Sequence, residues 1–312
     1  MKIVCDAELL PSLTTIKSLY SLTPLNFASF SAFREIRAAN LVIAGWPTRK
    51  SIFWLRISLL LYPSKKLLVF TRPQEISEKI SPFDKKFLLR ANRIICPNLE
   101  NARRDSLALI YWRAPEKFRE IPQGIDLEKY SQKESYKPST NETIAKFKAI
   151  INFVTKKVIK KGLPSILIIC TDQEEWQEII GNNRLQGNIF YFNQEEYDQI
   201  KKIKSYQEAD ILVVTSNQGD STTNNIIEGL ACGLAIIAPR NPNLNNLFSH
   251  DQQGLFFKPN DHEDLIEKIN LLCGDEEKRE KMSRESRKLA ENKYNKKQRD
   301  LKILQIIKEL EK

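Results

Sequence analysis

Two carboxylates eight positions apart, Asp220 and Glu228, bracket the start of a stretch whose residue types suit the binding of an anion. Ser216 to Thr223 contains no large apolar residue and is rich in helix-capping side chains, and Ile226, Ile227, Leu230 and Ala231 then recur at helical spacing until Gly233 closes the run. A helix that opens just past the carboxyl end of a parallel strand points unpaired N–H groups into a crevice, and a phosphate is held well there. The plain alternative makes Asp220 a simple cap and Glu228 an exposed helical residue. Gly233, like Gly124 further up the chain, then serves only a turn with positive φ.

Such a helix start needs a strand on each side. Ile211 to Val214 and Leu234 to Ala238 are short apolar runs rich in β-branched residues, the pattern of strands buried on both faces. The same rhythm extends through the chain. Met1 to Cys5, Leu41 to Ala44, Leu67 to Thr71, Arg93 to Cys96 and Arg119 to Ile121 are strand candidates in the first part. Residues 9–37 read as partly helical, with Phe27, Phe30, Phe33 and Ile36 at three-residue steps, and helices are expected at Phe83 to Ala91 and Leu99 to Leu109. The segment Ile121-Pro122-Gln123-Gly124-Ile125-Asp126 breaks the alternation, and the domain boundary is placed there. Afterwards Ile166 to Cys170, Asn188 to Phe192 and Leu255 to Phe257 continue the strands, with helices expected at Glu174 to Ile180 and Tyr197 to Tyr206, and past Asn260 the chain is charged and helical. The expected fold class is α/β, with two Rossmann-like domains built on parallel sheets, residues 1–125 and 126–295, and a C-terminal helix at 296–312 packing back on the first domain.

Composition narrows the partners. The 312 residues are long enough for two cores, and 41% hydrophobic with 28% charged residues is ordinary for a globular chain. Net charge is +10, and residues 1–130 hold most of it, with 21 Lys and Arg against 12 Asp and Glu, while the remainder has 28 against 27. A basic first half suits anionic lipid headgroups or a phosphorylated substrate, or is simply a solvated face; without a nucleic-acid motif, nucleic acid is the least favoured partner. Cys5, Cys96, Cys170, Cys232 and Cys273 are odd in number and scattered, which predicts buried free thiols in a reducing compartment and no metal-ligand spacing. The first residues lack the pattern of a signal peptide, and the most apolar stretch, Ser51 to Tyr62, is too short to span a bilayer and reads as a core helix, with a membrane-facing helix as the alternative. A cytoplasmic location follows as the expectation.

Three stretches, in this order, resemble the retaining, nucleotide-sugar-dependent glycosyltransferases of the family 4, or glycosyl transferases group 1, type, whose fold is the two-domain GT-B fold. IPQGIDLEKY at 121–130 is similar to the family's I-P-N-G-V-D entry into its second domain. YQEADILVVTS followed by DSTTNNIIEGLACGLAIIAPR resembles its ribose- and phosphate-binding strand, loop and helix. GLFFKPNDHEDLIEKINLLCGDEEKREKMSRESRKLAENKY at 254–294 resembles its G-L-L-V-x-P-x-D segment and following helices. The likeness covers 119–294 by motif and 1–118 only in alternating plan.

The resemblance implies a transfer of a sugar from a UDP- or GDP-linked donor to a glycan or lipid-linked acceptor in polysaccharide or glycolipid synthesis, without a metal or other cofactor. It implies that Glu228 accepts hydrogen bonds from the ribose and that Asp220 stands where the family has Glu. Ser221, Thr222, Thr223 and Asn224 then hold the diphosphate or the sugar at the helix start. Gly124 belongs to the donor side by its motif. The leaving nucleoside diphosphate gains negative charge as the sugar bond breaks, so N–H groups and cations around it lower the barrier.

Departures from the pattern are specific. FVTKKVIKKG at 153–162 lies over the family's Gly-Arg and Lys-Gly pairs, putting Lys156 and Lys161 on the phosphates, whereas the apolar stripe Ile144, Phe147, Ile151, Val154 and Val158 reads the same stretch as helix. LVFTRPQE at 67–75 places Thr71 where a His is usual, leaving Arg72 at a strand end as the cation for diphosphate or acceptor phosphate, or as a partner of Glu75. The acceptor loop rich in glycine is absent, and Asn246 stands in place of a Glu. These losses also support a second reading, a catalytically degenerate GT-B protein that binds a nucleotide sugar or acts as a partner subunit; a third is a GT-B epimerase. A peripheral contact with an anionic membrane at its inner face is expected from the basic first half.

Overall fold

The computed structural model describes residues 2–7, 9, 13, 16–17, 20, 22–25, 31–45, 57, 61–71, 82–104, 107–131, 163–170, 177, 187–193, 199–216 and 220–311. The chain forms two compact units, one of Met1–Gly124 with Lys296–Lys312 and one of Ile125–Asn295.

Unit 1 is built on β1 (Ile3–Asp6), β2 (Leu22–Leu25), β3 (Leu41–Ala44), β4 (Lys66–Phe70), β5 (Arg93–Cys96) and β6 (Phe118–Glu120). They form one parallel sheet in the order β2-β1-β3-β4-β5-β6. Side chains alternate faces along a strand, and here both faces are buried: Val42 and Ala44 enter one core, Leu41 and Ile43 the other. That is why these strands are unbroken apolar runs. Helices α1 (Ser31–Ala38), α2 (Pro82–Arg90), α3 (Leu99–Arg104) and α4 (Ala108–Arg113) are followed in the same unit by α9 (Lys296–Glu311) from the far end of the chain. Helix α9 buries Ile303, Leu304, Ile306, Ile307 and Leu310 against Ile3, Leu41, Leu68 and Ile95, so the helix expected to pack back on the first domain does so.

Unit 2 has β7 (Ser165–Cys170), β8 (Asn188–Asn193), β9 (Ile211–Val214), β10 (Ala235–Pro239) and β11 (Gly254–Phe257), parallel in the order β11-β10-β9-β7-β8. Helices α5 (Gln199–Glu208), α6 (Asp220–Ala231), α7 (His262–Gly274) and α8 (Glu276–Lys293) flank it. Leu167 and Ile169 face the core shared with Ile226, Leu230 and Ala290, while Ile166 and Ile168 face that of Leu265, Ile269 and Leu272. Asp261 caps α7 and Asp275 caps α8, each accepting from the N–H three residues on, at 2.9 Å.

Three expectations change. Leu22–Leu25 lies inside a stretch read as helical but is an edge strand paired only with β1, a place that tolerates Pro24 because one side of the strand needs no donor. The single helix expected over Leu99 to Leu109 is two helices, α3 and α4. Gly124 does not adopt positive φ, as Gly233 does at 72°; a Cβ there would lie 2.8 Å from the Lys296 Cα and 2.9 Å from the Arg299 side chain, so close approach of α9 excludes larger residues. The five cysteines are free and buried, as expected. Among the described residues no helix is long and apolar enough to cross a membrane, and no group of three or more His, Cys, Asp or Glu could hold a metal. Most of Ser51–Tyr62, the stretch 142–162 and the helix expected at Glu174–Ile180 lie outside the described residues.

Candidate functional site

Helix α6 begins at Asp220, and residues 217–219 that join it to Ser216 lie outside the described residues. Strand β9 sits between β10 and β7 in the sheet, so the carboxyl end of a central strand feeds the start of the helix. Gly233 ends α6 with positive φ, its N–H bonded to the Leu230 carbonyl at 3.0 Å, and Leu234 N–H to that of Gly229 at 3.0 Å, which turns the chain into β10. In the first turn Ser221 is exposed, Thr223 and Asn224 are half-buried, and Thr222 is completely buried. An α-helix leaves the first N–H groups of its opening turn without acceptors of its own.

Two turns on, Glu228 occupies a nest of polar side chains. Its carboxylate is 15% exposed. Tyr130 Oη donates to Oε1 at 2.7 Å. Lys202 Nζ lies 2.8 Å from Oε2, near enough for an ion pair but off hydrogen-bond alignment, so Oε2 is a buried acceptor with a charge beside it and no hydrogen bond. Lys202 comes from α5, where Tyr206 stands one turn further; the ammonium is 5.9 Å from the Tyr206 ring centre. Tyr206 is wholly buried, meets Tyr130 edge-on at 6.4 Å, and donates to Asn225 Oδ1 at 3.3 Å. The Asn225 Nδ2 is buried with no hydrogen-bond partner. A buried donor and a buried acceptor, both unsatisfied, thus lie three residues apart on one face of α6.

The electrostatics follow from that burial. The Tyr206 phenol is pushed well above its ordinary range, first by burial and then by the nearby Glu228 charge. The Cys232 thiol rises to about 12, again by burial and then Glu228, against the opposing pull of Arg287. Arg287 of α8 donates through Nη1 to the carbonyls of Ala231 at 2.6 Å and Tyr130 at 2.9 Å. One guanidinium therefore ties down both the end of α6 and the residue that holds Glu228. The carboxylate is thus held from two sides, by the segment after Ile125 and by α5, while α8 ties down Tyr130 and the end of α6.

Glu228 and the first turn of α6 are thus in one unit and on one helix. Gly124 belongs to unit 1, where its packing against α9 accounts for the glycine. The Asp220 side chain, Arg72, Lys156 and Lys161 lie outside the described residues. Thr71, at the end of β4, spends its hydroxyl on the Ile95 carbonyl at 3.2 Å. Asn246 accepts from Lys293 Nζ through its backbone carbonyl at 2.7 Å, a structural use. The sequence reading missed Lys202, Tyr206 and Asn225. Only the i, i+4 spacing of Lys202 and Tyr206 pointed to a shared face, and nothing local pointed that face at Glu228.

Residues 154–289 match the model of the family glycosyl transferases group 1, a match confined to unit 2. Solved structures align over the whole chain. A glycosyltransferase from Rickettsia africae ESF-5 aligns over 100% of this chain and 99% of its own at a TM-score of 0.71 and 15% identity. Anabaena HepE in complex with UDP aligns over 99% and 100% at 0.67 and 13% identity, and sucrose-phosphate synthase from Thermosynechococcus elongatus over 97% and 79% at 0.60 and 15% identity. No curated protein matches the chain. The chain has the GT-B glycosyltransferase fold, and the match in unit 2 supports a glycosyl-transferring enzyme.

Proposed function

We propose that the chain is a retaining glycosyltransferase that moves a sugar from a UDP- or GDP-linked donor to a glycan or lipid-linked acceptor, in surface-polysaccharide or glycolipid synthesis. The observation that carries this reading is Glu228 Oε2, a buried carboxylate oxygen with an ion pair and no hydrogen bond. A ribose diol supplies the donors such an oxygen lacks, and charge-assisted hydrogen bonds of that kind are the strong ones. The Tyr130 bond and the Lys202 ion pair hold the carboxylate in place before the donor arrives. Complexes of HepE with UDP and with UDP-glucose lend support from a protein of the same fold.

In this reading the first turn of α6, Ser221 to Asn224, receives the diphosphate, whose charge grows as the bond to the sugar breaks. Asp220 and Arg72 act at the reacting centre, Lys156 and Lys161 at the phosphates, and no resident metal or cofactor is required. The protein works in the cytoplasm, with the basic unit 1 meeting the acceptor at an anionic inner membrane face.

Titration calorimetry with UDP and GDP tests the donor site. Glu228→Ala lowers affinity for the nucleotide that binds by about tenfold or more, and leaves the affinity of its 2′,3′-dideoxy analogue unchanged. If neither nucleotide binds, the donor reading falls; if Glu228→Ala weakens both analogues equally, the ribose role falls. Transfer assays with and without EDTA then address the metal, with equal rates expected.

One observation favours a second reading, a degenerate GT-B protein that binds a nucleotide sugar or serves as a partner subunit. The hydroxyl of Thr71, at the strand end where the family pattern has a His, is used on backbone. Nucleotide binding without hydrolysis or transfer for any donor sugar tested would select it.

A further inference from the structure

Five large apolar side chains are strongly exposed among the described residues, and four of them, Leu61, Leu109, Trp112 and Leu301, belong to unit 1. Leu109 and Trp112 are neighbours. They are 67% and 70% exposed and stand three positions apart on α4, so they share one face of it.

The other face of α4 is anchored. Ile110 and Tyr111 are buried, and Tyr111 meets Phe118 edge-on at 5.2 Å. Arg103 of α3 donates through Nη2 to Tyr111 Oη at 2.9 Å and lies 5.1 Å over its ring. The Trp112 ring sits edge-on to Tyr111 at 5.5 Å. An outward apolar pair therefore rides on a fixed support, with exposed Arg103 and Arg113 beside it. Helix α2 packs on α4 and adds exposed Lys86 with half-buried Lys85 and Arg90; among the described side chains the acids of this region are half-buried Glu100 and exposed Glu116 and Glu120. Unit 1 as a whole has 26 Lys and Arg against 13 Asp and Glu, a net of +13, whereas unit 2 has 23 against 26, a net of −3.

We propose that this ledge seats unit 1 on an anionic membrane, with Leu109 and Trp112 entering the boundary between headgroups and acyl chains and Arg103 and Arg113 meeting lipid phosphates. An indole is suited to that boundary, being apolar in body with one polar N–H, and basic side chains gather anionic lipid around it. Two weak signals, an apolar insertion and a basic surface, together hold a protein where either alone does not. A symmetric pair of copies joined through the ledge is disfavoured, because it would bring together two units of net charge +13. The ledge rests on the reading that unit 1 meets an anionic membrane, and it gives that contact an address.

Flotation of the full chain with phosphatidylcholine vesicles, with and without phosphatidylglycerol, tests it. The wild type floats only with the anionic lipid. Leu109→Ser with Trp112→Ser lowers the bound fraction roughly tenfold at unchanged thermal midpoint and unchanged nucleotide binding. Arg113→Gln lowers it less and flattens its salt dependence, and brominated lipid quenches tryptophan emission in the wild type but not in the double variant. No flotation of the wild type overturns the membrane reading altogether. Flotation that the double variant retains in full overturns the ledge alone. A dimer in sedimentation that the double variant dissolves, or retention on an oligonucleotide in place of vesicles, also overturns it.

Discussion

Unit 1 carries a net of +13 and, among the described residues, four of the five strongly exposed apolar side chains, whereas unit 2 is nearly neutral and its one such described side chain is Leu271, at 42%. Unit 2 keeps its unusual chemistry inside: a carboxylate, two phenols and an amide packed around Glu228, under the tether of Arg287. In unit 1 the unusual chemistry is on the surface. Recognition of a small ligand needs groups fixed before the ligand comes, and burial fixes them; contact with an extended partner needs area and charge, which only a surface offers. The two architectures are alike, and what separates the units is the side on which each leaves its polar and apolar residues unsatisfied.

The contrast is sharpened first by the thiols. Cys5 and Cys96 in unit 1 and Cys232 in unit 2 are each pushed up to about 12, mainly by burial. From an ordinary value of 9.0 this lowers the thiolate fraction at neutral pH about a thousandfold, so native labelling by a disulfide reagent is expected to be slower than in urea by that factor or more. Identification of the labelled cysteines reports the opening of each unit separately. Simultaneous labelling of Cys96 and Cys232 on titration with urea would make the units one cooperative body. The sign for stability is fixed too: unfolding releases protons from these thiols above pH 9.0, so stability falls as pH rises from there towards about 12.

Glycine substitutions break the comparison at its backbone. A Cβ on Gly254 would lie 2.0 Å from the Ile236 carbonyl oxygen, between β11 and β10. Gly254→Ala is expected to cost about 3 kcal/mol or more, lowering the urea midpoint of unit 2. Gly124→Ala in unit 1 meets the Lys296 backbone at 2.8 Å, and the expected loss is about 1–3 kcal/mol. If Gly254→Ala lowered the unit 1 transition by as much, the division would be wrong. The smallest effect is that of Tyr130→Phe. Loss of a hydrogen bond to a charged group costs about 1.5–3 kcal/mol when both partners are fully buried, and about 1 kcal/mol here, because water reaches Glu228. Nucleotide affinity measured on the same variant should fall with it, because the carboxylate loses the bond that holds its orientation.

How far the sequence went differs between the units in the same sense. Strands β3, β5, β7 and β9 were legible because both faces are buried, which leaves uninterrupted runs such as Leu41 to Ala44 and Ile211 to Val214. Strand β2 was not, since an edge strand with a proline leaves no such run. Helix α6 was legible from its polar start and from Gly233. Its surroundings were not, because Tyr130 and Glu228 are 98 positions apart and Lys202 reaches the carboxylate from a third segment. Periodicity reports which face of an element is covered, not which side chain covers it. The apolar pair on α4 was hidden for the opposite reason, since Leu109 and Trp112 have the composition of core residues and only the fold reveals them as exposed.

Helix α9 has a consequence in the order of synthesis. Its Ile303, Leu304, Ile307 and Leu310 complete a core whose other members lie before residue 122, and all of unit 2 is interposed. A nascent chain emerging from the ribosome therefore has every residue of unit 2 in hand while one face of the first sheet still lacks the part of its cover that α9 supplies. The unit encoded second can close first, and the unit encoded first waits with that face incompletely covered until the last helix arrives.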